Sequence, residues 1–594
     1  MASPDKNWYE TGKRFINPYN FVSQTDEVDR DIPEKGNLTG KINCTITVKT
    51  PLCIPDAEKK FPDTDFIGTN EYNRHYVYDF YRVGDVPTIT GSRLKGVIRS
   101  YYEALSNSCF SVNNNNIMSA RHSFPRNAGL IKYDENGWHL YPAVKKPFKG
   151  YAFGEGKYKR TWYEIHGKSL KTSVFSVAGD EIDCDNLDYA VEDYNKNLKI
   201  YEEGFYFKKY KEQLTYEITP TENKMFPVFY EIISSDTGDN LVYLSPSQIG
   251  RSVFLHKIDD ILGSHISCSK TEGDFLCKAC SLFGISSFYD RSSSQHNEKK
   301  WNKAGYLRFS DAVPINFSSE KYVTLKELSV PKTTSVEFYT QRPENALAWT
   351  YESKTTAYTK KKQGRITVHA PEKTLCKVNL KGRKFYLHNP MLKKEDYSAE
   401  EKTKRNCSAE LCKEGSKFSF NIYFENIKES QLRELVWTLA LGENSENSDR
   451  MFKLGYAKPL GLGSVKITVN SIQARFFDGE SSEYILKNIN PDEYMKNIPF
   501  DSDTDYFKQL MAVVNFRTTE KFMQNGAVIS YPIADDGRGS KNSKAHHQWF
   551  IANRASGTGG TLMAWSLKYS LPEITDEDIT LPAFEKAPQY KKFR

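Results

Sequence analysis

The stretch Thr90-Gly91-Ser92-Arg93-Leu94-Lys95-Gly96-Val97-Ile98-Arg99 decides the reading of this chain. Ahead of it, Asp85-Val86-Pro87-Thr88-Ile89 has the character of a strand or strand end. Behind it, Leu94, Val97, Ile98, Tyr101 and Leu105 recur at helical spacing, an apolar stripe that must face a core. Ser92 is the expected N-cap, and Gly91 lets the backbone turn sharply before it. Lys95, Arg99 and Tyr102 fall on another side of the same helix. A helix with a buried face, a basic face and free N–H groups at its start attracts phosphate. An ordinary capped surface helix has the same outline, so the stretch must be weighed with its neighbours.

Working outward, Lys41 to Thr50 alternates apolar and polar positions with β-branched residues, the pattern of a half-buried strand. Far downstream Lys417 to Phe424 repeats that alternation, and Gln431 to Leu441 carries a helical stripe of Leu432, Leu435, Val436 and Leu439. A glycine-led strand, Gly461 to Val469, closes the series. Strand, helix, strand, helix, strand make an α+β chain with a ferredoxin-like (modified RRM) core, assembled from distant segments and therefore of high contact order. The expected divisions are an N-terminal arm (1–38), a first core part (39–117), an inserted module (118–244), a zinc-knuckle segment (245–300), a second core part with a projecting hairpin (301–475) and a C-terminal appendage (476–594).

Composition limits the classes. The chain has 594 residues, 82 basic against 75 acidic and a net charge of +7, so any nucleic-acid surface must come from local clustering. Its 37 Tyr and 35 Phe supply stacking candidates. No long apolar run and no apolar leader after Met1-Ala2-Ser3-Pro4 are present, which leads to the expectation of a soluble, cytoplasmic protein without membrane contact. Ten cysteines in so long a chain do not suggest a secreted disulfide framework. Instead His265-x-x-Cys268 followed by Cys277-x-x-Cys280 has the ligand types and knuckle spacing of a closed tetrahedral Zn²⁺ site, hence a structural one.

Four pieces then fall in one order. Gly91-Ser92-x-Leu94-Lys95-Gly96-x-x-Arg99, Cys280-Ser281-Leu282-Phe283-Gly284, Gly305 to Ala312, and Gly455-x-x-x-x-x-Gly461-x-Gly463-x-Val465 together resemble the RAMP superfamily, the RNA-binding subunits of CRISPR effector complexes. The resemblance implies a large, insertion-bearing, backbone-like member of a type III-like complex. Its partners would be guide RNA, target RNA and other CRISPR effector subunits. Phosphate contacts are expected from Ser92, Arg93, Lys95 and Arg99, and from Lys332 with Tyr339 stacking in the hairpin after the Gly305 strand. RAMP subunits that cut target RNA place an acidic residue in the loop after the first strand. Here that position is Asp56, with Asp63 and Asp65 as alternatives and Mg²⁺ as the cofactor if the chain is a nuclease. The rival to both RNA readings is a zinc-containing scaffold whose glycines only tighten turns.

Overall fold

The computed structural model describes residues 8–586, apart from 26, 64–73, 114–118, 122–125, 151–153, 164–169, 185–186, 204–216, 235–239, 247, 249–250, 254–256, 272, 287–301, 329–332, 343–350, 352–358, 361–365, 368–377, 536–544 and 556–567. Its centre is the strand Leu38–Val48, which pairs antiparallel with Lys417–Ile427 on one side and with Ser464–Asp478 on the other. Leu307–Phe309 and Val313–Asn316 extend the sheet beyond Lys417–Ile427, while Phe452–Lys453 and Glu483–Ile489 extend it beyond Ser464–Asp478. The α+β class read from the sequence is the class observed. Each expected core segment forms the expected element, the helix running Glu429–Ala440.

Alternation makes this sheet two-faced. Ile42, Cys44, Ile46 and Val48 point to one side with Phe418, Phe420, Ile422 and Phe424, all at most 1% exposed. Onto that side pack the helices Gly91–Leu105, through Leu94, Ile98, Tyr101 and Leu105, and Glu429–Ala440, through Leu432, Leu435, Val436 and Leu439. Each such side chain contributes about 1.5–3 kcal/mol on burial, so packing of the stripes, not intrinsic helix propensity, fixes both helices.

Two further units hang on this core. A six-stranded antiparallel sheet runs in the order Tyr158–Tyr163, Leu170–Val177, Gly137–Pro147, Asn127–Asp134, Met225–Ser234, Asn240–Ser245. Helix Leu187–Glu203 covers it with Val191, Tyr194 and Leu198 against Ile131, Leu140 and Val228. Elsewhere the two ends of the chain meet: Trp8–Ile16 pairs antiparallel with Thr580–Lys586 around an aromatic cluster of Phe15, Phe338, Trp549 and Phe584. Residues 8–22, expected to form an arm, therefore contribute strands, the second being Tyr19–Val22 paired with Arg383–Tyr386. Among the described residues no helix is long and apolar enough to cross a membrane.

Candidate functional site

Helix Gly91–Leu105 has different chemistry at its two ends. At the first, Thr90 is the N-cap residue and Ser92 lies inside the helix, exposed, with its hydroxyl oxygen 3.2 Å from that of Thr90. The expectation of a Ser92 cap is corrected by two residues. The first helical N–H, from Gly91, is donated to the Asp311 carboxylate at 2.8 Å. Gly91 is glycine because of contact and not because of a turn: a Cβ there would lie 2.2 Å from the Phe309 carbonyl oxygen of the adjoining strand.

A cleft of about 500 Å³ opens beside this end, between the helix, the Ile54-Pro55 loop, strand Arg383–Tyr386 and the Lys453–Lys458 turn. That volume is within the range of ligand-sized clefts. Arg93, Lys384, Lys453 and Lys458 line it, and no Asp or Glu does. The Arg93 guanidinium lies 5.1 Å from the centre of the Tyr81 ring, with a buried Nη1 that has no hydrogen-bond partner among the described residues. Burial, then the Lys458 charge, pushes the Lys453 ammonium down to about 7. It donates to the Gly461 and Leu462 carbonyls at 2.8 and 3.0 Å. Burial likewise holds Lys384 at about 8, where it sits 3.7 Å from the Tyr19 ring centre. Tyr386 and Tyr456 complete the wall. Gly455 lets the turn approach closely, at φ +87° and with a Cβ position 2.4 Å from the Cys53 carbonyl oxygen.

Several expected RNA contacts are placed elsewhere. Lys95 is half-buried, its pKa lowered by burial and then by Arg99, and it does not line the cleft. Tyr102, expected only to share the side of Lys95 and Arg99, is fully buried and donates to Glu434. Tyr339, expected to stack on a base, is corrected to a core residue: it is buried against Tyr19 and Phe21 and accepts from Lys384 at 3.0 Å. Lys332 and Asp65 lie outside the described residues. Asp56, the position matched to the family's acidic residue, sits in a local turn. It is buried, and its Oδ1 accepts from the Glu58 and Lys59 N–H groups at 3.1 and 3.3 Å, so it closes a local turn and does not line the cleft. Asp63 pairs with Lys402 at 2.7 Å. No cluster of carboxylates suited to Mg²⁺ forms among the described residues.

At the other end, just past the helix, Cys109 meets Cys268, Cys277 and Cys280 in a buried group whose sulfurs all lie within 4.8 Å of one another. Cys109 is 3.5 Å from Cys280 and 3.6 Å from Cys277, sulfur to sulfur. A tetrahedron with 2.3 Å metal–sulfur bonds has edges of about 3.8 Å, so four thiolates in this arrangement suit one metal ion. Two guanidiniums donate to the sulfurs: Arg99 to Cys280 at 3.3 Å and Arg30 to Cys268 at 3.4 Å. Four thiolates around a divalent ion leave two negative charges, and these two cations balance them.

Both sequence expectations for this region change accordingly. His265 is not among the converging ligands: its Nε2 lies 2.7 Å from the Thr25 carbonyl oxygen and its Nδ1 3.3 Å from that of Ser108. Burial lowers its pKa, so the neutral ring's N–H is committed to backbone. Cys109 takes its place, unsignalled by any local spacing. Arg99 is not a free phosphate ligand, because besides Cys280 it binds Glu103 at 2.8 Å and the Gly284 carbonyl at 2.7 Å. Glu103 in turn accepts from Arg383 at 3.0 Å, tying the helix to the strand that walls the cleft.

A family model described as the RAMP superfamily matches residues 45–466, which takes in the end of the central strand, the opening helix, the four cysteines and the start of the closing strand. The chain belongs to the RAMP superfamily. No curated protein matches it. Among solved structures it is similar to Thermofilum pendens Csc2, at 9% identity and a TM-score of 0.19, over 85% of this chain and 80% of that one. It is also similar to a chain of a type III-B Cmr-β complex bound to cognate target RNA, at 11% identity and a TM-score of 0.17, over 72% and 96%.

Proposed function

We propose that this chain is an RNA-binding subunit of a type III CRISPR effector ribonucleoprotein, holding guide RNA and positioning target RNA alongside other effector subunits. Membership of the RAMP superfamily supports the class. The observation that carries the reading is the cleft lined by four basic side chains and no carboxylate, in which Arg93 keeps a buried donor with no partner among the described residues. An RNA phosphate supplies what that wall lacks, and the rings of Tyr386 and Tyr456 offer a surface to a base or ribose. Such contacts ignore sequence, as guide binding requires, because base identity is read by pairing.

The core is ferredoxin-like in this reading, supported by a sheet in which Leu38–Val48, Leu307–Phe309, Lys417–Ile427 and Ser464–Asp478, numbered 1 to 4 along the chain, lie in the order 4-1-3-2 with both helices on one side. Zinc is the metal that four thiolates favour, and its part is structural, since no coordination position stays open.

The test is binding of a labelled single-stranded RNA of about twenty nucleotides, followed by fluorescence anisotropy across a salt series. Replacing Arg93 and Lys458 together by alanine is expected to weaken binding about tenfold for unrelated sequences. The log–log salt slope should fall by about 0.7 for each cation lost. Unchanged affinity and slope in a folded double variant refute the reading.

A further inference from the structure

The face of the core sheet opposite the two helices bears no helix among the described residues, and its side chains form an ordered array. Arg308, Tyr423 and Lys41 stand directly opposite one another on three adjacent strands, and Lys41 in turn faces Gln473 on the fourth. Two residues further along the closing strand, Arg475 shares this face, followed by Phe477, which stands opposite Tyr484. The residues between them, Ile42, Ile422, Ile472 and Ala474, are the ones buried under the helices.

Three aromatic rings are exposed here: Tyr423 at 48%, Phe477 at 48% and Tyr484 at 68%. Phe477 and Tyr484 meet edge to face at 5.4 Å, and Arg475 lies 5.3 Å from the Tyr484 ring centre. The Arg308 side chain is 81% exposed and pairs with Glu425 at 3.4 Å. Lys41 and Arg475 are exposed as well. Beside the Tyr423 row, Asn43 donates to Asn421 at 3.0 Å and accepts from Asn470 at 2.8 Å. An apolar partner laid on this face would desolvate that amide ladder, whereas a polyanion with flat bases would not.

From this array we infer that the open sheet face is a second binding surface for single-stranded RNA, on which bases stack on Tyr423, Phe477 and Tyr484 while Lys41, Arg308 and Arg475 meet phosphates. Charge decides the occupant: Lys41, Arg308 and Arg475 stand among the three rings, Glu425 pairs with Arg308, and Glu446 at the far end of the face is held by Lys417, so cations are in excess and the face fits a nucleic-acid strand better than a protein surface. Neighbouring strands lie about 4.8 Å apart, so the rings are spread over several nucleotides of unpaired strand. The surface lies on the other side of the sheet from the helices and stands whether or not the cleft binds RNA.

The experiment uses the full chain and a labelled fifteen-nucleotide oligouridine containing 4-thiouridine, with anisotropy and mapping of photo-crosslinked peptides. The Tyr423→Ala/Tyr484→Ala variant is expected to lose at least tenfold in affinity and its crosslinks to residues 417–427 and 483–489. Tyr423→Phe/Tyr484→Phe, which keeps the rings, retains both. The same pair of substitutions placed on the Arg93→Ala/Lys458→Ala background should remove the binding that remains there. Crosslinks confined to the cleft, with affinity unmoved by loss of the two rings, overturn the proposal while leaving the cleft reading intact. A change in oligomeric state by light scattering, without any change in RNA affinity, overturns it in favour of a protein interface.

Discussion

The two ends of helix Gly91–Leu105 spend positive charge in opposite ways. Near its C-terminus every guanidinium is matched: Arg99 is held by Glu103, a backbone carbonyl and a sulfur, and Arg383 by Glu103 and the Ser108 and Cys109 carbonyls. Near its N-terminus the basic side chains of the cleft have no acidic partner on the wall; burial pulls Lys384 below its ordinary range, and burial, then the Lys458 charge, does so for Lys453. Matched charge at one end holds the fold together. Unmatched charge at the other costs stability, and a site that costs stability without a partner points to an anionic ligand.

The sharpest way to break this comparison is to remove the metal. One zinc per chain is expected by elemental analysis, and Cys109→Ser and Cys277→Ser should each lose it, with at least about 3 kcal/mol of stability, because two buried guanidiniums are left facing an incomplete site. A folded Cys109→Ser variant with undiminished metal would put His265 back among the ligands. Next comes the contrast between two arginines six positions apart on the same helix. Arg99→Ala should cost about 3 kcal/mol in denaturant unfolding, whereas Arg93→Ala should leave stability within about 0.5 kcal/mol. Equal destabilisation by both would erase the distinction between the two ends.

The smallest effect is a slope. Lys453 binds its proton less tightly folded, at about 7, than unfolded, near 10.5. Between pH 7 and 9 the unfolded chain therefore holds more protons at this position, and stability rises with pH, by up to about 1.4 kcal/mol per unit from this group alone. The contribution vanishes as pH climbs past 10.5, and its cost is complete below about 7. Lys453→Met should flatten the profile of RNA-free protein over that window. A slope that is unaltered shows that the ammonium is solvated and the cleft is not short of negative charge.

The core was legible because its signal is local. Alternation in Lys41–Thr50 and the 3.6-residue stripe of Leu432, Leu435, Val436 and Leu439 each follow from one element burying one face. Site chemistry was legible only where ligands are close in sequence. Cys268, Cys277 and Cys280 announce themselves, whereas Cys109 reaches them from the far end of another helix and His265 mimicked it by spacing alone. Periodicity shows which residues share a side of a helix but not what packs against that side, which is why the contacts of Arg99 with Glu103, Gly284 and Cys280 were not legible. Lys458 and Tyr456 lay inside the quoted Gly455–Gly461 stretch, yet only the turn's approach to Cys53 brings them beside Arg93.

The pairing of Trp8–Ile16 with Thr580–Lys586 sets a schedule for synthesis. The inserted sheet has all its strands between Asn127 and Ser245, so it is complete while less than half of the chain has been made. The central strand Leu38–Val48 must wait for Ser464–Asp478, more than four hundred residues later, which at ribosomal rates is on the order of twenty to eighty seconds. For that interval its alternating face, Ile42 to Val48, is an open edge on a nascent chain. Trp8–Ile16 precedes all of these strands and finds Thr580–Lys586 after them, so a ribosome that stalls before Thr580 leaves the inserted sheet formed and Trp8–Ile16 without that partner.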